Sequence, residues 1–267
     1  MTGHRAAKRS LGQNFLVDQN LQRKIVAALD APPSAEVLEI GPGGGALTRL
    51  LAGRVRRLVL VELDDVLARE LTERYAGRED VRVVHADVLD VDIAVLCEQP
   101  AEVLVVGNIP YNITTPIIFK LLERPRPRQI VLMVQDDVAD RIVGPVGTKA
   151  YGALSVGVRA VAEVERLFRV GRSAFRPVPN VDSAVIRILP FRPERLAAPE
   201  EERLRRLVRA AFQWRRKQFR KILRDHPELS YPLEAAEAAA TQVGIDLEDR
   251  PERVTPEQFV SLAAALP

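Results

Sequence analysis

Short apolar, β-branched runs alternate with segments of helical spacing through the first two thirds of the chain. This alternation limits the fold more than any other feature. The runs are residues 37–40, 58–61, 81–84, 103–106 and 130–134. Each is brief and nearly continuous, as strands buried on both faces are. Between them, residues 47–51 and 66–75 carry apolar positions at helical spacing. Such a βαβ series implies a parallel sheet with right-handed crossovers. Residues 164–170 and 184–189 read as two further strands. A proline-rich loop separates them where a helix would be needed for a parallel crossover, which predicts an antiparallel pair at the sheet edge.

The pattern changes after Phe191. Residues 192–199 hold Pro193 and Pro199 and no core-like run, so they read as a linker. Beyond them Leu204, Leu207, Val208, Ala211 and Phe212 recur at helical spacing, a second helix is expected over 233–243, and Thr255 with Pro256 forms a cap and first turn for a third. The expected division is therefore a sheet domain over 1–192 and a helical domain over 199–267. A chain of 267 residues with 47% hydrophobic content can bury a sizeable core, and 28% charged residues is ordinary for a globular protein.

Several function classes fall away at this point. Cys97 is the sole cysteine, so no intrachain disulfide can form and a reducing cytoplasm is expected. His4, His85 and His226 are scattered without metal-ligand spacing, so no metal is expected. No apolar run is long enough to span a membrane, and the basic first ten residues lack the apolar segment of a secretory signal. Nothing demands more than a monomer.

The first strand leads into Glu39-Ile40-Gly41-Pro42-Gly43-Gly44-Gly45-Ala46, a glycine loop opening a helix. Gly41, Gly43 and Ala46 also satisfy the loose dinucleotide fingerprint, so glycine count alone leaves a nicotinamide cofactor open. Glu39 before the loop and the packed glycines at 43–45 look more like an S-adenosylmethionine loop. Glu62 ends the second strand about 20 residues on, where an acid can bind both ribose hydroxyls. Asp87 follows the third strand and can accept from an adenine amine. Each acid alone also reads as a solvated strand end.

Asn108-Ile109-Pro110-Tyr111 follows the run 103–106, at the tip of a buried strand where open α/β sheets place their ligands. The chemistry it suggests is methyl transfer to the exocyclic amine of a flat base. The Asn108 side-chain oxygen and the Ile109 carbonyl can accept both amine hydrogens and favour a pyramidal nitrogen. Pro110 pushes Ile109 towards an extended conformation, and Tyr111 offers a face for stacking. An ordinary strand-to-loop turn has the same composition. Downstream, residues 203–224 contain no acid, while Arg205, Arg209, Arg216, Arg220 and Arg224 recur near helical spacing beside Lys217 and Lys221. That face either tracks phosphates or is simply solvated. With a formal net charge of +3, placement matters more than the total. His4, Arg5, Lys8 and Arg9 are expected to add a basic arm near the cofactor mouth.

These motifs, taken in order, resemble the KsgA family of small-subunit rRNA adenine dimethyltransferases. Leu11-Gly12-Gln13-Asn14-Phe15-Leu16 is similar to its F-G-Q-N-F-L signature, with Leu11 in place of Phe. Glu39 to Gly45 and Asn108 to Tyr111 resemble its E-I-G-P-G-x-G and N-[LI]-P-Y. Lys149-Ala150-Tyr151-Gly152, the segment from Phe175 to Ser183, and Arg215-Arg216-Lys217 match later signatures, with Gln218-Phe219 replacing a more usual Thr-Leu. The resemblance implies an α/β class I methyltransferase fold, Rossmann-like, with a mostly parallel seven-stranded sheet and a smaller all-helical C-terminal domain. It implies S-adenosylmethionine contacts from Asn14, Leu16, Gly41, Gly43, Glu62, Asp87 and Asn108. It implies target-adenine contacts from Asn108, Ile109, Pro110, Tyr111 and Phe175. Phe175 is expected in a loop, either stacking on the base or anchoring the loop. The implied activity is dimethylation of two adjacent adenosines in a hairpin near the 3′ end of 16S rRNA during small-subunit biogenesis. An Erm-type enzyme of the large subunit shares the Asn-Pro-Tyr chemistry, and an assembly factor acting by occupancy is a rival of another class.

Overall fold

The computed structural model describes residues 13–229 and 231–266. The basic arm at 4–9 and the signature residues Leu11 and Gly12 lie outside these. The described chain has nine strands: β1 (Phe15–Leu16), β2 (Glu36–Ile40), β3 (Arg57–Glu62), β4 (Val81–His85), β5 (Leu104–Asn108), β6 (Gln129–Gln135), β7 (Ala162–Val170), β8 (Phe175–Arg176) and β9 (Ser183–Pro190). Seven form one sheet in the order β4-β3-β2-β5-β6-β9-β7, and β1 pairs with β8 in a separate two-stranded sheet. The run β4-β3-β2-β5-β6 is parallel, and β9 is antiparallel to β6. The order reverses at β2, whose neighbours are β3 on one side and β5 on the other, and a crevice for ligands opens at such a switch point.

Every residue of β2 is buried, as its near-continuous apolar run requires. Val37, Leu58, Leu60, Leu104, Val106, Val131 and Met133 face one side, where they share a core with Ile25, Leu29, Leu51 and Leu71 from the helices beside the sheet. Alternate residues Leu38, Ile40, Val59, Val61, Val105, Ile130 and Leu132 are equally enclosed on the other side. The strand at 81–84, expected to be buried on both faces, is half exposed because β4 is the outermost strand of the sheet. β5 extends past the apolar run to include Asn108. Gly107 permits this close pairing: a Cβ there would lie 2.8 Å from the Ile40 carbonyl oxygen.

The described residues form two compact units that interleave along the sequence: those up to 139 with 165–190, and 140–164 with those from 191 on. The expected single boundary near 192 therefore misses residues 140–164, which belong with the helical unit. The reason is packing. Tyr151 is fully buried and donates its hydroxyl to the Val254 carbonyl at 2.7 Å. The Arg215 guanidinium binds Glu252 at 2.7 Å and the carbonyls of Lys149 and Thr148 at 3.2 and 3.1 Å. The helices Ala198–Gln213, Phe219–Asp225, Leu233–Gln242 and Pro256–Ala265 enclose a core that includes Leu204, Leu207, Phe219, Phe259 and Leu262. Thr255 caps the last of these reciprocally with Gln258, as its sequence position implied.

Candidate active site

The strand tips of β2, β3 and β5 line a cleft in the sheet unit. Its wall after β2 is the glycine loop. Gly43 adopts φ +55°, and a Cβ there would lie 3.2 Å from the Phe15 ring, so the loop backbone forms the cleft surface directly. The loop is held from two sides. Gly43 donates its N–H to Glu62 Oε2 at 2.9 Å, and Arg74 Nη1 reaches the Gly44 carbonyl at 2.9 Å. Glu62 Oε1 accepts the Asp64 N–H, also at 2.9 Å. Both Glu62 oxygens thus accept backbone hydrogens, and a carboxylate has further acceptor capacity for a ribose hydroxyl. Burial raises the Glu62 carboxyl above the ordinary range, with backbone hydrogen bonds from Asp64, Gly43 and Leu63 opposing that shift.

Glu39 is also enclosed. Thr48 donates its hydroxyl to Glu39 Oε2 at 2.7 Å. Burial pushes this carboxyl up to about 7; the Thr48 bond pulls it down and the nearby Glu62 charge adds to the rise. Two acids thus lie on the glycine-loop side of the cleft. A cradle that a Cβ would fill, backed by a carboxylate with spare acceptors, fits the adenosine portion of S-adenosylmethionine.

The opposite wall is the Asn108–Tyr111 turn. Asn108 donates Nδ2–H to the Asn14 carbonyl at 2.9 Å, which leaves its amide oxygen as an acceptor towards a ligand. Ile109 is buried and donates its N–H to the Met133 carbonyl. The Pro110 carbonyl accepts from Ile113 N–H and Thr114 Oγ1; the Ile109 carbonyl takes part in neither bond. Tyr111 is partly exposed in the cleft, and its hydroxyl meets Ser183 Oγ at 2.8 Å. Burial raises its phenol, and the Ser183 bond opposes the shift.

The segment 13–16 links both walls. Gln13 binds Asp64 at 3.0 Å, Asn14 holds Asn108, and the Leu16 carbonyl accepts from buried Gln22 at 2.7 Å. Asn14, Leu16, Gly41, Gly43, Glu62, Asn108, Ile109, Pro110 and Tyr111 all line the cleft. Gln13, Phe15 and Arg74 are structural partners that periodicity does not reveal, because their role lies in contacts to Asp64 and to the glycine loop, far along the chain.

Two expected residues have local partners of their own. Asp87 follows β4, and its Oδ1 accepts the Leu89 N–H at 2.9 Å. Phe175 is not in an exposed loop. It lies on β8, fully buried, with Leu16 as its strand partner, so its ring is part of the core. The basic run also needs correction. It is broken between the helices Ala198–Gln213 and Phe219–Asp225, so its arginines do not form one stripe. Acids that flank the run, and others further along the chain, pair with its arginines. Arg220 pairs with Glu237 and Glu248, Arg209 with Glu228, and Arg205 and Arg224 with Glu202 and Asp225. Arg216, Lys217 and Lys221 instead line a shallow pocket with Trp214.

A family model described as ribosomal RNA adenine dimethylase matches residues 4–266. The ribosomal RNA small subunit methyltransferase A of Geobacillus thermodenitrificans (strain NG80-2) is 43% identical over 265 residues, covering 97% of this chain and 90% of that one. The protein of the same name from Acinetobacter baylyi is 42% identical over 262 residues, covering 98% and 92%. Among solved structures, a dimethyladenosine transferase from Plasmodium falciparum superposes with a TM-score of 0.80 at 25% identity, covering 93% of this chain and 95% of that one. The 23S rRNA methyltransferase ErmE does so with 0.72 at 33% identity, covering 95% and 99%. A class I methyltransferase sheet with this match over nearly its whole length leaves one assignment: the chain belongs to the ribosomal RNA adenine dimethylase family.

Proposed function

We propose that this protein dimethylates two adjacent adenosines at their 6-amino groups, in a hairpin near the 3′ end of 16S rRNA, as part of small-subunit assembly. The enzyme is an rRNA adenine dimethyltransferase, and S-adenosylmethionine is its methyl donor, supplying an electrophilic methyl group. The observation that carries the mechanism is the Asn108 amide, locked by the Asn14 carbonyl at the tip of β5. The aromatic amine of adenine is a poor nucleophile because its lone pair is delocalised. Asn108 Oδ1 and the Ile109 carbonyl accept its two hydrogens and favour a pyramidal nitrogen whose lone pair faces the donor. Pro110 shapes that turn, and the Tyr111 ring stacks on the base, which has left its helix to enter the cleft. Gly41, Gly43, Glu62, Asn14 and Leu16 hold the donor. The proton released by the methylated nitrogen passes to solvent. Catalysis is then positioning and electrostatic preorganisation.

The sheet unit carries this chemistry and the helical unit carries rRNA contacts, through cations such as Arg216, Lys217 and Lys221. We place the protein in the cytoplasm as a monomer; among the described residues no helix is long and apolar enough to cross a membrane. The likeness to ErmE favours a second reading, in which the target lies in the large subunit. Incubation with labelled S-adenosylmethionine and unmethylated small subunits, large subunits or naked rRNA, followed by mapping of the modified bases, separates them. Dimethyladenosine pairs in small-subunit RNA are expected; label confined to large-subunit RNA overturns the proposal.

A further inference from the structure

Ser183 is a fully buried residue with a polar side chain that the mechanism leaves unused. It opens β9, where its strand partner is Gln135 of β6. Its Oγ lies 2.8 Å from the Tyr111 hydroxyl. The position of Ser183 is itself fixed. Asp182, just before it, accepts the Arg172 N–H at one carboxylate oxygen and Arg169 Nη2 at the other, both at 2.9 Å. The Asp182 carbonyl accepts the Asp136 N–H at 3.1 Å.

The root of Tyr111 sits in the turn after β5, and its hydroxyl is tied to the start of β9. A stacking ring anchored only at its Cβ can swing about two side-chain torsions. A hydrogen bond at the far end removes most of that freedom before a base arrives, and preorganisation of this kind spares the cost of ordering on binding. We propose that Ser183 is a positioning residue for the reaction: it pins the Tyr111 ring at a fixed height beside Asn108, and so sets the pocket in which adenine is presented twice. This rests on the reading that Tyr111 stacks on the target base. The second transfer should depend on it most, because the singly methylated amine must rotate and re-present its lone pair against the same acceptors.

The test uses the full-length protein and whichever rRNA particle the wild type methylates. Variants Ser183→Ala, Tyr111→Phe, their double and Tyr111→Ala are compared for kcat/KM, for the ratio of monomethyl to dimethyl adenosine, for cofactor affinity and for thermal unfolding. Ser183→Ala and Tyr111→Phe should each lower kcat/KM for RNA about three- to tenfold, the usual effect of removing one such hydrogen bond. Both should raise the monomethyl fraction and leave cofactor affinity unchanged. The double should be no worse than either single, because both remove the same bond. Should Ser183→Ala not fold, Tyr111→Phe must still show the loss and Ser183→Thr must retain wild-type values. Wild-type kinetics and product ratio in Ser183→Ala, or losses that multiply in the double, overturn the positioning role while a damaged Tyr111→Ala leaves stacking intact. An unimpaired Tyr111→Ala overturns stacking itself, and the role of Ser183 with it.

Discussion

Asn108 and Asn14 are 94 residues apart in the chain, yet the Asn108 amide donates to the Asn14 backbone carbonyl at 2.9 Å. This bond decides which end of the amide is left for a substrate. The nitrogen is already committed, and the oxygen remains as acceptor. An acceptor aimed where positive charge develops acts on the transition state more than on the ground state.

Asn108→Ala should keep its fold and RNA affinity and lose on the order of 10²–10³ in rate, the usual effect of removing one preorganised electrostatic partner. Asn108→Asp preserves an acceptor but sets a carboxylate oxygen against the Asn14 carbonyl, where a donor is needed. It should recover only part of the loss. Single-turnover methylation at saturating cofactor measures both, and a near-wild-type rate for Asn108→Ala would falsify the mechanism.

Glu62 joins the glycine loop to the tip of β3 through Gly43 and Asp64. Glu62→Ala leaves both N–H groups unpaired and should weaken S-adenosylmethionine binding by roughly 1–3 kcal/mol. Calorimetric titration reads this directly. Unchanged affinity would remove Glu62 from the cofactor site, and measurable NADH binding would revive a nicotinamide loop.

Glu39 gives a pH dependence of definite sign. Its folded-state carboxyl is raised to about 7 by burial, above its ordinary value of 4.5. Native protein therefore holds a proton that the unfolded chain has released, and the stabilising contribution is complete below 4.5 and is lost as pH rises through 7. Glu39→Gln keeps an acceptor for Thr48 without the charge. Relative to wild type it should gain stability between pH 4.5 and 8, up to roughly 3 kcal/mol for a shift of this size. Denaturant unfolding of both proteins at the two pH values tests it; a constant difference would show that Glu39 titrates as an exposed acid.

The cations of the helical unit should divide by their partners. Arg216→Ala with Lys221→Ala should weaken RNA binding and reduce its salt slope by about 0.9 for each duplex phosphate that is no longer neutralised. Arg220→Ala should alter RNA binding less and stability more, since Arg220 is held by Glu237 and Glu248. Cofactor affinity should not move in either case. Equal salt slopes for both variants would mean that the ion pairs of Arg220 do not withhold it from RNA.

Much of the site is legible in the sequence because its chemistry sits in local motifs. A glycine loop needs glycines, a strand tip needs a break after an apolar run, and both are contiguous in sequence. Gly41, Gly43, Glu62 and Asn108 are where strand endings put them. For Phe175 the sequence leaves stacking and anchoring open, and pairing of β8 with β1 buries the ring as an anchor. Asp87 shows the limit of local pattern: a strand-end acid looks alike whether it faces a ligand or closes a turn, and one of its oxygens accepts the Leu89 N–H.

By itself the sequence determined the alternating α/β order, the parallel sheet, the glycine loop and the Asn108–Tyr111 turn. These follow from periodicity and turn chemistry, which act over a few residues. Tertiary structure decided what depends on partners far along the chain. It assigned residues 140–164 to the helical unit through Tyr151 and Arg215. It brought Glu237 and Glu248 to Arg220 from outside a run that holds no acid of its own, and it chose which atoms of Asn108 and Tyr111 remain free for a substrate. Hydrogen bonds and ion pairs form wherever the fold brings donor and acceptor within about 3 Å, and local pattern carries no record of that meeting.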